Sequence, residues 1–168
     1  VTVVAATGSV EGTRDLGAAL AELLRPGDVL VLTGDLGAGK TALTQGLGRG
    51  LGVTAPITSP TFTLAQVYEG RLRVHHLDVY RLERPEEALD LGLPELLDDE
   101  GVVVVEWGEA ILAELPPDHL EVRLTFGAGD DDRRIAVRAN GRRWVARERS
   151  LAAALAPWVT AAPEAEPC

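Results

Sequence analysis

Lys40 and Thr41 are the residues most plainly arranged for chemistry. They close the run Gly-Asp-Leu-Gly-Ala-Gly-Lys-Thr at 34–41, which fits the pattern G-x-x-x-x-G-K-[ST] without a mismatch. In that pattern glycines carry the backbone through positive φ, so that successive N–H groups face one point. The helix that follows adds the partial positive charge of its N-terminus. The chemistry is phosphate binding: Lys40 would reach the β- and γ-phosphates of a nucleotide, and the Thr41 hydroxyl would ligate Mg²⁺. The cradle is the run Asp35, Leu36, Gly37, Ala38, Gly39, Lys40, Thr41 and Ala42. The chain holds fifteen Arg and a single Lys, and that Lys is Lys40. The site keeps a compact ammonium where the rest of the chain uses planar guanidinium groups.

Phosphoryl chemistry also needs oxygen ligands for Mg²⁺ and a positioned water. Two carboxylates follow apolar strand-like runs: Asp78 in His-Leu-Asp-Val-Tyr, and Glu106 after Val102-Val103-Val104-Val105. Only the second run has the unbroken apolar character of a strand buried on both faces. This places Glu106 on or near the metal and Asp78 as a second metal-shell or water-orienting group, although the two roles can be exchanged. Residues 54–63, with Pro56, Pro60, Ser59 and four Thr, occupy the place where a segment sensing the γ-phosphate would lie. His75 and His76 are adjacent, so on a strand they face opposite sides and cannot share a metal; they read as packing or hydrogen-bonding residues. The sole Asn is Asn140, so no Asn-Lys-x-Asp segment for guanine exists, and adenine is the expected base. Arg133 and Arg134, after the acidic stretch 130–132, could imitate the Arg-bearing lid of a small-molecule kinase.

These groups need a scaffold, and the hydrophobic pattern supplies one. Strands are expected at 1–6, 29–33, 64–69, 72–80, 102–105, 119–126 and 134–139. Helices are expected at about 13–24, capped by Ser9 or Thr13, and at 39–51, where Gly46, Gly48 and Gly50 point to close packing. Shorter helices fit 85–91, 94–97, 109–115 and 147–158. Asn140-Gly141 signals a hairpin. Strands alternating with helices give an α/β fold in one domain, 1–158, with 159–168 as a disordered acidic tail.

Net charge is −10, which excludes a molecule built to coat nucleic acid. The charge is uneven: residues 83–100 hold eight acids against Arg84, and 133–149 hold seven Arg against Glu148. Both runs read as solvated faces, with a partner surface as the other case. No apolar run approaches the length of a membrane span and no secretory signal is visible. Cys168 is the only cysteine, which fits a reducing compartment, and the absence of Met at position 1 points to a processed start.

Four motifs in order, Gly-Asp-Leu-Gly-Ala-Gly-Lys-Thr (34–41), Ser-Pro-Thr-Phe-Thr-Leu (59–64), His-Leu-Asp-Val-Tyr-Arg-Leu (76–82) and Val-Glu-Trp-Gly-Glu (105–109), closely resemble the TsaE family, formerly YjeE. The resemblance runs from about residue 9 to 140. It implies a single-domain P-loop NTPase fold with a central mixed sheet flanked by helices. It further implies a cytoplasmic, ATP- and ADP-binding, slowly hydrolysing, Mg²⁺-dependent accessory subunit. Such a subunit acts on the TsaB–TsaD heterodimer, meets tRNA only through that complex, and serves threonylcarbamoylation of the adenosine beside the anticodon. By the same resemblance Lys40, Asp78 and Glu106 are catalytic, and Thr41, Glu106 and Asp78 surround the metal. Ser59 and Thr61 belong to a mobile switch, Trp107 lies close to the nucleotide, and Arg134 is a nucleotide contact. A nucleotide-gated binding module without essential hydrolysis and a small-molecule kinase are the competing readings.

Overall fold

The computed structural model describes residues 1–60, 65–80, 82–84, 86–90 and 92–159, with backbone alone at 88 and 108–110. Its sheet is built on β2 (Val29–Thr33), whose five residues are all buried. Ahead of it come β1 (Thr2–Thr7) and α1 (Val10–Ala21); after it come α2 (Lys40–Gly50), β3 (Ala65–Tyr68), β4 (Val74–Asp78), α3 (Glu87–Asp90), α4 (Leu93–Asp98) and β5 (Val102–Glu106). A 3₁₀ helix (Gly108–Glu114) leads to β6 (His119–Phe126), β7 (Arg133–Asn140), α5 (Arg142–Val145), α6 (Glu148–Leu155) and a last 3₁₀ turn (Ala156–Trp158). The seven strands lie in the order β1-β7-β6-β2-β5-β4-β3. β6, β2, β5 and β4 are mutually parallel, and β7 and β3 run antiparallel to their neighbours, so the sheet is mixed.

Alternation along β2 and β5 sorts side chains to two cores. Leu30, Leu32, Val102 and Val104 pack under α1 and α2 with Leu16, Leu20, Leu43 and Leu47. Val29, Val31, Val103 and Val105 face Leu93 of α4 and Ile111 and Leu115 around the 3₁₀ helix. Each fully buried leucine contributes about 1.5–3 kcal/mol. α1 starts where Ser9 Oγ accepts the Gly12 N–H at 2.9 Å. Thr13, the other capping candidate, instead bonds Thr7 Oγ1 at 2.8 Å.

α1 and α2 touch backbone to backbone. At Gly46 a methyl group would run into the Arg14 carbonyl oxygen, so the glycine-rich helix is what lets α2 lie this close. Asn140-Gly141 does not make a hairpin. Asn140 ends β7, Gly141 precedes α5, and the Arg143 N–H donates to Asp118 Oδ1 at 3.0 Å, which starts a helical turn that buries Trp144.

The basic run 133–149 is not one solvated face. Arg147 is buried and makes a bidentate pair with Asp28, both bonds 2.7 Å, and its guanidinium lies 3.8 Å from the Trp144 ring. The acidic run agrees better with expectation: Glu83, Glu86, Asp90, Glu95, Asp98 and Glu100 are exposed. Val159 makes an isolated antiparallel bridge to Ala5; the rest of the expected tail, 160–168, lies outside the described residues.

Candidate functional site

Because β2, β4 and β5 are parallel, their C-terminal ends share one edge of the sheet, the edge where open α/β sheets place ligands. β2 ends at Thr33 and the loop 34–39 follows, folding on itself where the Ala38 N–H donates to Asp35 O at 3.0 Å. Gly39 precedes α2 with φ +108, a conformation that an L side chain resists, and Lys40 begins the helix. β4 ends at Asp78 and β5 at Glu106, and the two residues are direct partners across the ladder.

A cleft of about 470 Å³ opens there, lined by Leu36, Gly37, Gly39, Lys40, Thr41, Ser59, Asp78, Tyr80, Glu106 and Trp107. The structure therefore brings together Lys40, Thr41, Asp78, Glu106, Ser59 and Trp107 from four separate stretches of chain. Lys40 is buried; its Nζ donates to Gly34 O at 2.5 Å and Asp35 O at 3.0 Å, and lies 4.1 Å from the Trp107 ring centroid. Glu106, 2% exposed, has Oε1 3.5 Å from both Thr41 Oγ1 and His76 Nε2. Asp78 Oδ1 accepts the Tyr80 N–H at 3.0 Å. Trp107 is the one non-glycine residue with positive φ (+61) among the described residues, and its N–H is pinned to Leu32 O at 2.8 Å. Backbone strain at a site-lining aromatic is the kind that persists where neighbouring structure dictates it.

Two carboxylates and a hydroxyl, all hard oxygen donors, are a set that suits Mg²⁺ shared with phosphate oxygens. Among the described residues no group of three His, Cys, Asp or Glu side chains could hold a metal alone. The arrangement fits an ion that arrives with a nucleotide.

Other expected residues fall around this centre. Asp35 lines a smaller groove of about 220 Å³ with Thr33, Trp107, Arg123 and Phe126. Ala38 is fully buried within the loop, and Ala42 is half-buried in the first turn of α2. Ser59 is held in place by its neighbours: Gln45 Nε2 donates to Ile57 O at 2.9 Å, and the Thr58 N–H to Tyr68 Oη at 3.4 Å. Thr61 lies outside the described residues.

Arg134 is not brought to the cleft. It is exposed and lines a separate groove of about 650 Å³ with Thr7, Gly8, Ala128 and Asp132. Its neighbour Arg133 touches the phosphate loop instead, donating from Nε to Ala38 O at 3.1 Å and from Nη2 to Gly37 O at 3.3 Å. Tyr80, which none of the four motifs marks as a site residue, also lines the cleft, its ring 4.9 Å from that of Trp107. Its signal was its place two residues after Asp78, which puts both on one side of an extended chain. His76 is fully buried, and neither ring nitrogen has a hydrogen-bond partner among the described residues.

A family model described as threonylcarbamoyl adenosine biosynthesis protein TsaE matches residues 7–135. The chain belongs to the TsaE family. The tRNA threonylcarbamoyladenosine biosynthesis protein TsaE of Bacillus subtilis is 45% identical over 139 residues, covering 82% of this chain and 86% of that protein. The protein of the same name from Streptomyces coelicolor is 46% identical over 148 residues, covering 83% and 99%. The crystal structure of Bacillus subtilis YdiB matches with a TM-score of 0.79 at 37% identity, over 91% of this chain and 95% of that one. The family, the mixed sheet and the phosphate loop at the end of a central parallel strand make this a P-loop NTPase fold. No helix among the described residues is long and apolar enough to cross a membrane.

Proposed function

We propose that the chain binds ATP and ADP with Mg²⁺ in the cleft, hydrolyses ATP slowly, and by that cycle drives turnover of the TsaB–TsaD heterodimer. The reaction served is threonylcarbamoylation of the adenosine next to the anticodon of tRNA, in the cytoplasm, with tRNA met only through the complex. The observation that carries the nucleotide reading is the convergence of Lys40, Thr41, Asp78 and Glu106 on one cleft. Membership of the TsaE family supports the pathway.

In this reading Lys40 moves its ammonium from the loop carbonyls to the β- and γ-phosphates, a charge-assisted contact. Thr41 and Glu106 hold the ion, with Asp78 beside them; when bound, Mg²⁺ neutralises charge on the phosphate oxygens. Asp78 orients the attacking water, Ser59 stands at the γ-phosphate end, and Trp107 covers the Lys40 side chain and excludes water from it. Arg134, exposed in its own groove, would meet the nucleotide away from the phosphates.

Hydrolysis of labelled ATP, measured with and without TsaB–TsaD, tests this. The expected result is turnover that rises with the partner and disappears in Lys40→Ala. Hydrolysis indifferent to the partner, with modification sustained by a non-hydrolysable analogue, would replace the reading by that of a nucleotide-gated binding module. Transfer of label to a metabolite would make the protein a kinase.

A further inference from the structure

Arg133 opens β7 and spends its guanidinium on four carbonyl oxygens. Two belong to the phosphate loop, Ala38 O and Gly37 O; the other two, Asp130 O at 2.7 Å and Asp132 O at 2.8 Å, belong to the β6–β7 turn and both accept from Nη1. The Phe126 ring lies 4.8 Å from the guanidinium carbon. The group is thus fixed on three sides and bridges residues 95 and 96 positions apart in sequence.

The consequence follows from peptide geometry. In a trans peptide the C=O and N–H point in opposite directions, so holding one carbonyl fixes the direction of the next amide. The Gly37 carbonyl shares its peptide with the Ala38 N–H, which closes the loop onto Asp35 O. The Ala38 carbonyl shares its peptide with the Gly39 N–H, in a residue that lines the cleft. These two peptide groups lie between Gly37 (φ +81) and Gly39 (φ +108), where reorientation meets the least steric resistance.

We propose that Arg133 is a positioning residue for phosphate binding: its fork clamps the Gly37 and Ala38 carbonyls away from the cleft and so aims the Gly39 N–H at the phosphates. This rests on the nucleotide reading of the cleft. The role needs a planar fork with several donors and not merely a positive charge, because one ammonium cannot satisfy loop and turn in the same geometry.

The test is calorimetric titration of the full chain with ADP and Mg²⁺, for the parent, Arg133→Gln, Arg133→Lys and Arg138→Gln, alongside the unliganded melting temperature of each. Arg138 is exposed on the same strand and controls for loss of charge. Arg133→Gln and Arg133→Lys should each raise the Kd for ADP about ten- to a hundredfold, the scale of one charge-assisted hydrogen bond lost. Arg138→Gln should stay within about twofold of the parent, as distant independent sites do. A melting temperature that falls while the Kd stays parental would show a merely structural arginine and overturn the proposal. Parental affinity in Arg133→Lys would overturn it too, since charge alone would then suffice. If Arg133→Gln does not fold, the Lys variant and the amide exchange of Ala38 in the parent decide: the clamp holds that N–H on Asp35 O, and an exchange rate like that of an unstructured alanine refutes it. A parent that binds no ADP while folded overturns the nucleotide reading itself, and the clamp with it.

Discussion

Glu106→Gln should make the unliganded protein more stable and the liganded protein less so. Asp78 and Glu106 are ladder partners on adjacent parallel strands, and both are buried, 7% and 2% exposed. Neighbouring strands lie about 4.8 Å apart, so their carboxylates can be taken as roughly 5–7 Å from each other. At an effective dielectric constant of about 20, two like charges at that distance repel by about 2–3 kcal/mol. Among the described residues the side-chain polar contacts of Glu106 are those with Thr41 and His76, both 3.5 Å long. Replacing the carboxylate by its neutral isostere removes the repulsion and forfeits only those weak contacts, for a net gain of about 1–2 kcal/mol. In a domain of this size that corresponds to a rise in melting temperature of about 2–8 °C. The assay is urea or thermal unfolding in EDTA without nucleotide, repeated with Mg²⁺ and ADP at about a hundred times Kd. There the parent gains about 2.7 kcal/mol by linkage. The Gln variant should lose the Mg²⁺-dependent part of that gain, so the order of stability crosses between the two conditions. A variant less stable than the parent in EDTA would refute the reasoning, because the carboxylate would then be a structural acid rather than one held for a cation.

Arg147→Met leaves Asp28, whose side chain is 1% exposed, with the Arg25 N–H and a more distant Arg143 as its remaining partners among the described residues; the expected loss is about 3–5 kcal/mol in denaturant unfolding, and a loss below about 1 would mean that Arg143 takes over. Gly46→Ala drives a methyl group into the Arg14 carbonyl, so α2 must shift away from α1. Overpacking of this kind costs about 1–3 kcal/mol, and nucleotide affinity should fall with stability because Lys40 and Thr41 ride on that helix; unchanged affinity would separate the packing from the site. Hydrogen bonds from His75 first, then Arg73 and the Glu100 N–H, hold the Asp99 carboxyl below its usual 3.8. With a depressed folded-state value, the unfolded chain binds more protons between the two values, so this contribution is complete above the usual value and fades as pH falls through the folded one. The stability gap between parent and Asp99→Asn should therefore narrow as pH falls below about 4, and a gap that widened on acidification through that range would contradict it.

The chemistry of the site was legible wherever a local rule reports on one stretch. The phosphate-loop pattern needs only consecutive residues, and the unbroken valines of β5 announced a strand buried on both faces with an acid at its end. The placing of His75 and His76 on opposite faces followed from strand alternation alone. What stayed hidden depends on distant partners. Arg133 and Arg134 are neighbours on β7 and so face opposite sides, and no local rule says which of the two meets the phosphate loop. Asn140-Gly141 carries a hairpin signature, yet Asp118, 25 residues before Arg143, accepts the Arg143 N–H and starts a helical turn instead. Within the Arg-rich run, Arg147 looks like its neighbours until Asp28, 119 residues earlier, is seen against it.

Lys40 is the only lysine of the chain, and it sits in the cleft with its amine against Trp107. The protein therefore carries its own chemical address. Apart from the N-terminus, an acylating reagent has one ε-amine to find, and that amine belongs to the phosphate loop. The mass added by such a reagent would be a direct count of open sites, and protection by ADP would be read at a single peptide. The same fact makes the loop vulnerable: modification of one side chain, by a probe or by a cellular acyl donor, removes the charge on which phosphate binding depends, while the surface arginines remain untouched.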